Sequence, residues 1–251
     1  MTIFGLIGTP LDHSWSESYF TQKFKDEALH DLVYRNYPLH AIGEFNALLR
    51  QVPELKGLNV TMPYKEAVMA LLDVTESVCH AVRACNTVVI RRESGHVTHL
   101  AGYNTDITGF SNSIRPLLKK HHRKALVLGT GGAARTVSHV LGASGIEAIM
   151  AGRHPKDNMI SLDGLVECQL GDFQVIVNAT PLGQKQHPGN PLPDVLLKQI
   201  TANHLCYDLV YNPPLTDFLK QAGMRGAATK NGLEMLYLQA EASWKIWKQY
   251  L

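Results

Sequence analysis

Residues 125–135 read ALVLGTGGAAR, and their reading decides the fold. The apolar run Ala125–Leu128 breaks into Gly129-Thr130-Gly131-Gly132, then continues through Ala133-Ala134 with small and apolar residues to Ser144. This is the pattern of a strand, a tight turn and a helix. Gly129, Gly131 and Ala134 fit GxGxxG/A. There the first glycine makes the turn, the second lets the backbone approach a pyrophosphate, and the third small residue packs helix on strand. The helix start then offers unpaired N–H groups and a positive dipole end to phosphate oxygens.

The next strand, Glu147–Ala151, ends in Gly152-Arg153-His154-Pro155-Lys156, where a dinucleotide fold meets the adenosine ribose. A site for NAD would place Asp or Glu there to accept from the ribose 2′-OH, whereas Arg accommodates a 2′-phosphate. Arg153 therefore points to NADP. The alternative is a solvated basic turn.

Composition bounds the rest. With 251 residues the chain forms one large or two small domains, and 45% hydrophobic with 18% charged residues is ordinary globular usage. A net charge of +2 is too small to suggest a nucleic-acid or membrane-surface partner, and none is expected. The basic run Lys119–Lys124 follows a predicted helix, where positive charge suits the negative helix end. Cys79, Cys85, Cys168 and Cys206 form no CxxC and read as reduced core residues of a cytoplasmic protein. The start Ile3–Ile7 has no basic leader, and no run approaches the ~18 apolar residues that span a bilayer. A soluble cytosolic protein is expected. His96 and His99 follow a Glu-Ser-Gly turn in a predicted hairpin, where alternate residues share a face, so their HxxH spacing predicts no metal site.

Apolar runs alternate with amphipathic segments along the chain. Ile3–Ile7, Val33–Tyr37, Leu58–Val60 and Thr87–Ile90 read as strands, and Ser18–Leu29, Gly43–Arg50 and Pro63–Leu72 as helices. A turn at residues 91–95 leads into a strand near Val97–Ala101, which makes the first sheet mixed. Asn104-Thr105-Asp106 caps a helix to about Lys120. Val175–Asn178 and Leu205–Tyr211 read as buried parallel strands, each opening onto a Pro/Gly loop. Gly232–Leu251 reads as a long helix with Leu233, Leu236, Tyr237, Ala240, Trp244 and Trp247 on one face.

Ligands of such sheets collect beyond the carboxyl ends of the strands. In Asn59-Val60-Thr61-Met62-Pro63-Tyr64-Lys65-Glu66, Thr61 caps the predicted helix and Pro63 fits its first turn, which places Lys65 at the positive helix end. An ammonium there is disfavoured and has an easier route to the neutral form that accepts a hydroxyl proton. A snorkelling surface lysine is the other reading. Asp106, in the first turn of its helix, is the natural carboxylate partner, although capping alone explains its place. In Asp12-His13-Ser14-Trp15-Ser16, two hydroxyls spaced i, i+2 at a helix start either hold a carboxylate or cap the helix.

With these pieces in place the chain resembles the shikimate dehydrogenase family along essentially its whole length. The resemblance rests on GTPLDHSWS, NVTMPYKE, ACNTVV, GYNTD, GTGGAAR, NATPLG, YDLVYNP and NGLEMLYLQA, in that order. It implies two α/β domains flanking a cleft. Residues 1–103 form a substrate domain with a mixed sheet, joined by the last helix 233–251; residues 104–232 form a Rossmann-type NADP domain. The implied reaction is reversible NADP-linked reduction of 3-dehydroshikimate to shikimate, on the route to chorismate and the aromatic amino acids. A homodimer is the assembly to test for.

Carried over by resemblance, Lys65 and Asp106 are catalytic. Ser14 and Ser16 hold the substrate carboxylate, while Asn59, Thr61, Asn86, Tyr211 and Gln239 bind its hydroxyl side and ring. Gly129, Thr130, Gly131, Gly132 and Ala133 cradle the pyrophosphate, Arg153 takes the 2′-phosphate, and Thr180, Leu209 and Gly232 line the ribose and nicotinamide. The chain departs from the family pattern at Glu17 and Tyr19-Phe20, in place of Pro and His-Asn, and at Gly152-Arg153-His154, in place of Asn-Arg-Thr. NADP preference therefore rests mainly on Arg153, with His154 and Lys156 as compensating groups. The alternatives are a quinate/shikimate dehydrogenase of the same fold and a non-catalytic NADP-sensing regulator.

Overall fold

The computed structural model describes residues 1–11, 14–156 and 158–251; Asp12 and His13, part of the loop read above as a carboxylate site, lie outside the described residues, as does Asp157. The chain divides into two compact units, Met1–Thr105 with Ala240–Leu251, and Asp106–Gln239. The division falls inside the last helix rather than at Gly232.

The first unit runs β1 (Thr2–Gly8), α1 (Trp15–Asp26), β2 (Leu32–Pro38), α2 (Phe45–Gln51), β3 (Leu55–Val60), β4 (Val74–Thr75), α3 (Ser77–Val82), β5 (Thr87–Glu93) and β6 (His96–Tyr103). These strands form one sheet in the order β2-β1-β3-β5-β6-β4. β1 is parallel to β2 and β3, while β5 runs antiparallel to β3 and β6 antiparallel to β5, so the sheet is mixed. β1 is buried from Ile3 through Gly8, as a central strand covered on both faces must be. One face carries Ile7, Phe45, Leu55, Leu58 and Val88. The other packs Phe4, Phe20 and Phe24 under Trp244 and Trp247. Trp247 stacks on Phe4 at 4.7 Å between centroids and donates its indole N–H to the Val88 carbonyl at 3.0 Å. Gly57 makes room for that ring, since any Cβ there would overlap the indole.

The second unit runs α4 (Asp106–Ile114), β7 (Lys124–Leu128), α5 (Gly132–Ala143), β8 (Glu147–Gly152), β9 (Ile160–Ser161), β10 (Val175–Asn178), α6 (Asp194–Leu197), β11 (Leu205–Asp208), α7 (Asp217–Met224), β12 (Ala228–Asn231) and α8 (Leu233–Trp247), the last of these ending in the first unit. Its sheet is wholly parallel, in the order β12-β11-β10-β7-β8-β9. β10 and β11 are buried throughout, matching their unbroken apolar runs.

Four sequence expectations need correction. No α-helix spans Pro63–Leu72: a turn, closed by the Tyr64 amide on the Thr61 carbonyl at 3.0 Å, precedes a 3-10 helix over Ala67–Leu71. The helix after Asn104 stops at Ile114 and tightens into a 3-10 turn, Arg115–Leu117. Pro116 lacks the N–H that an α-helix would need there. The strand read as Leu205–Tyr211 ends at Asp208: the Leu209 amide still reaches the Asn178 carbonyl at 2.9 Å, and the Val210 amide turns to the Asp208 carboxylate at 3.0 Å. On α8, Leu233 and Tyr237 are exposed, while Met235, Ala240, Ser243, Trp244 and Trp247 are buried. The first turns are apolar on several sides, and Met235 is the side chain that joins Phe110 and Tyr207 in the second unit's core.

All four cysteines are free. Among the described residues no helix is long and apolar enough to cross a membrane, and no His/Cys/Asp/Glu cluster is arranged to hold a metal.

Candidate active site

In the second unit, β7 ends at Leu128 and Gly129 turns the chain with φ +121°, a conformation that excludes ordinary side chains. A Cβ at Gly129 would also press on the Ala179 carbonyl at 3.0 Å. Thr130 packs its methyl against Gly152, where a Cβ would lie 2.5 Å from it. Gly131 is the N-cap of α5, which has no side-chain cap, and a Cβ at Gly131 would meet nothing within 4 Å. The first amides of α5 are therefore left for an external acceptor beside open space, and these residues fit a dinucleotide pyrophosphate. Arg153, His154 and Lys156 are all exposed just past β8.

The ends of β10 and β11 form a second element of the site. Asn178 and Asp208 face each other in register and close two wholly buried strands. The Asn178 amide donates to Asp208 Oδ1 at 2.8 Å and to the Leu182 carbonyl at 2.9 Å. Its oxygen accepts from the Thr180 amide at 3.0 Å and the Thr180 hydroxyl at 2.6 Å. Gly232 lies so close to Leu209 that any Cβ would overlap the Leu209 carbonyl, which fixes the backbone after Asp208. Tyr211 follows, half-buried, with burial raising its phenol above the ordinary range.

In the first unit, Ser14 is the N-cap of α1 but its hydroxyl makes no capping bond, and its buried oxygen has no hydrogen-bond partner among the described residues. A buried hydroxyl left this way favours a ligand over the capping reading. Ser16 bonds to the phenol of Tyr34, which donates to Asn59 Oδ1 at 2.8 Å. The Asn59 amide is engaged by the Asn86 carbonyl, Thr87 and Ser243 at 3.2, 3.3 and 3.0 Å. Asn59 thus supports the residues around it rather than offering a free amide. Asn86 Oδ1 accepts from the Thr105 amide at 2.7 Å and its Nδ2 donates to the Thr105 hydroxyl at 3.0 Å, which fixes the orientation of the Asn86 amide.

Thr61 leaves β3 by donating its amide to the Ile7 carbonyl at 2.9 Å and packs its methyl over Gly8. Lys65 sits in the turn, before the N-cap Glu66 of the 3-10 helix, so the helix-dipole argument for it does not hold. Its backbone is anchored instead, the Lys65 carbonyl accepting from the Cys85 amide at 2.7 Å beside Asn86. Lys65 and Asp106 belong to different units; Asp106 is buried at the start of α4. Gln239, in the second unit, donates to the Leu236 carbonyl at 3.0 Å, and its Cβ side packs close to Gly109.

Sequence reasoning missed Tyr34, Thr87 and Ser243 in the first unit, and Asn178, Asp208 and Thr216 in the second. The one available signal was a polar residue closing each apolar strand at 178 and 208.

The family model for the shikimate dehydrogenase substrate binding domain matches residues 6–88. An NADP(+) shikimate dehydrogenase of Carboxydothermus hydrogenoformans is 36% identical, over 97% of this chain and 90% of its own. The chain belongs to the shikimate dehydrogenase family. A shikimate dehydrogenase structure from Peptoclostridium difficile shares the two-domain fold of the family, with a TM-score of 0.85 and 30% identity, covering 99% of this chain and 92% of that one. A quinate dehydrogenase from Corynebacterium glutamicum, solved with NAD, is similar with a TM-score of 0.85 and 27% identity over 99% and 94% of the two chains.

Proposed function

We propose that this chain is the NADP-dependent dehydrogenase that interconverts 3-dehydroshikimate and shikimate, acting in the cytoplasm. The observation that carries this reading is a likeness to NADP(+) shikimate dehydrogenases that runs the whole length of the chain. NADPH, when bound, supplies the hydride that reduces the substrate carbonyl carbon. Lys65 gives a proton from its ammonium Nζ to the carbonyl oxygen, and in the reverse direction its neutral amine takes the hydroxyl proton. Asp106 accepts from a substrate hydroxyl. Ser14 and Ser16 bind the substrate carboxylate; the unpartnered Ser14 hydroxyl supports this role. Asn86, Thr61, Tyr211 and Gln239 hold the ring, with Asn59 acting through Tyr34 and Ser243. The glycine turn and α5 hold the pyrophosphate, Arg153 the 2′-phosphate, and Thr180, Leu209 and Gly232 the nicotinamide end.

Initial rates with shikimate and quinate, each with NADP and NAD, test the reading. Shikimate with NADP should be the fastest pair. Faster oxidation of quinate with NAD would assign the chain to the quinate branch, and NADP binding without turnover to a sensor.

Arg153→Ala should raise the KM for NADP by roughly ten- to a hundredfold and leave that for NAD within about threefold, because a charge-assisted bond to phosphate contributes about 1.5–3 kcal/mol. Equal effects on both cofactors would remove Arg153 from 2′-phosphate recognition.

A further inference from the structure

The mechanism above makes no use of Asp208, a fully buried carboxyl at the end of β11. We propose that Asp208 is a positioning residue for the nicotinamide end of the cofactor, its carboxylate tying together the strand-end loops that carry Thr180 and Leu209. The inference rests on the functional reading above and deepens it.

The geometry is a three-way tie. Oδ1 accepts from the Asn178 amide at 2.8 Å and from the backbone N–H of Val210 at 3.0 Å. Oδ2 accepts from the Thr216 hydroxyl at 2.6 Å. Asn178 passes the constraint on, since its oxygen holds both the amide and the hydroxyl of Thr180. Val210 follows Leu209 directly. Thr216 is the N-cap of α7, accepting from the Leu219 amide at 3.4 Å, and the loop after Thr180 returns over it at Gly183. One side chain therefore sets the ends of β10 and β11 and the start of α7 at once. Such a group acts on the ligand through the residues it holds, and its loss displaces them by fractions of an ångström.

The groups holding Asp208 come from β10, from its own strand end and from the cap of α7, and all are neutral hydrogen-bond donors. Burial pushes the carboxyl up to about 6 against these bonds. The charge is thus a cost that the bonds only partly offset, and what the site uses is the acceptor geometry. An asparagine preserves that geometry: its oxygen can take the bonds of Oδ1, and its amide can donate to the Thr216 hydroxyl, which reverses its role.

The test compares wild type with Asp208→Ala, Asp208→Asn, Asn178→Ala and the Asp208→Ala/Asn178→Ala pair. Calorimetric titration with NADP and steady-state rates with shikimate are the readouts. The alanine variants should weaken NADP binding and raise its KM roughly tenfold or more, with the KM for shikimate within about threefold. The double variant should be no worse than the poorer single one. Asp208→Asn should stay within about threefold of wild type throughout.

Its melting temperature relative to wild type should rise as pH climbs from about 4 to above 6. Over that range the wild-type carboxyl, with its raised native value, loses its proton inside the protein and stability falls. If Asp208→Ala does not fold, Asn178→Ala and Asp208→Asn carry the same test. Unchanged NADP binding in Asn178→Ala, equal losses for NADP and shikimate, an Asp208→Asn variant as damaged as Asp208→Ala, or a pH-independent melting difference would each overturn the proposal. A wild-type enzyme inactive on shikimate would overturn the functional reading instead, and NADP titration would still decide the role of Asp208.

Discussion

Lys65→Ala is expected to lower kcat by roughly 10²- to 10⁴-fold while the KM for shikimate moves by less than about threefold. In barrier terms this is about 3–5 kcal/mol, the contribution of one positioned proton donor. The backbone at this position is held independently of the side chain, because the Lys65 carbonyl accepts the Cys85 amide and the preceding turn is closed by Thr61 and Tyr64. Truncation should therefore leave the fold and NADP binding unchanged. Lys65→Arg sharpens the result: it keeps a positive charge but cannot release a proton at neutral pH, so it should be nearly as inactive as alanine. If kcat held while KM rose, or if arginine restored the rate, Lys65 would bind substrate without transferring its proton.

Trp247→Ala should destabilise the first unit by about 3–5 kcal/mol. This indole is fully buried, stacks on Phe4, and donates to the Val88 carbonyl, and Gly57 provides the space it fills. Its removal leaves a cavity against the sheet and takes away the indole's bond to the Val88 carbonyl on β5, next to the strand start that carries Thr87 and the Asn86 amide. Trp247→Phe keeps most of the packing and loses the hydrogen bond, for a cost of about 1–2 kcal/mol. Thermal unfolding should rank wild type, phenylalanine and alanine in that order, with alanine lower by roughly 6–20 °C. An alanine variant that melted with wild type would show that the last helix does not anchor this unit.

Much of the fold could be read because its signals are local. The run of Ala125 to Leu128 into three glycines predicts strand, turn and helix from sterics within a dozen residues, and the structure has β7, Gly129 at positive φ and α5 there. The hairpin around Ser94-Gly95 and the mixed sheet were legible for the same reason. The turn at Lys65 was not. Its sequence suits a helix start, and only the bonds made by residues 61–65 to strands elsewhere hold it as a turn. Asn59 misled in the opposite direction: a polar residue at a strand end looks like a ligand group until Tyr34, Thr87 and Ser243 are seen to occupy it.

The sequence by itself determined the glycine turn between β7 and α5 and the family, since each rests on residue types at fixed short spacings. Only the tertiary structure decided which polar groups are engaged in holding others and which are left for a ligand. Asn178 meets Asp208, and Asn59 meets Ser243, through sheet register and helix docking. Those pairings join residues 30 to 184 positions apart, and no local preference encodes them.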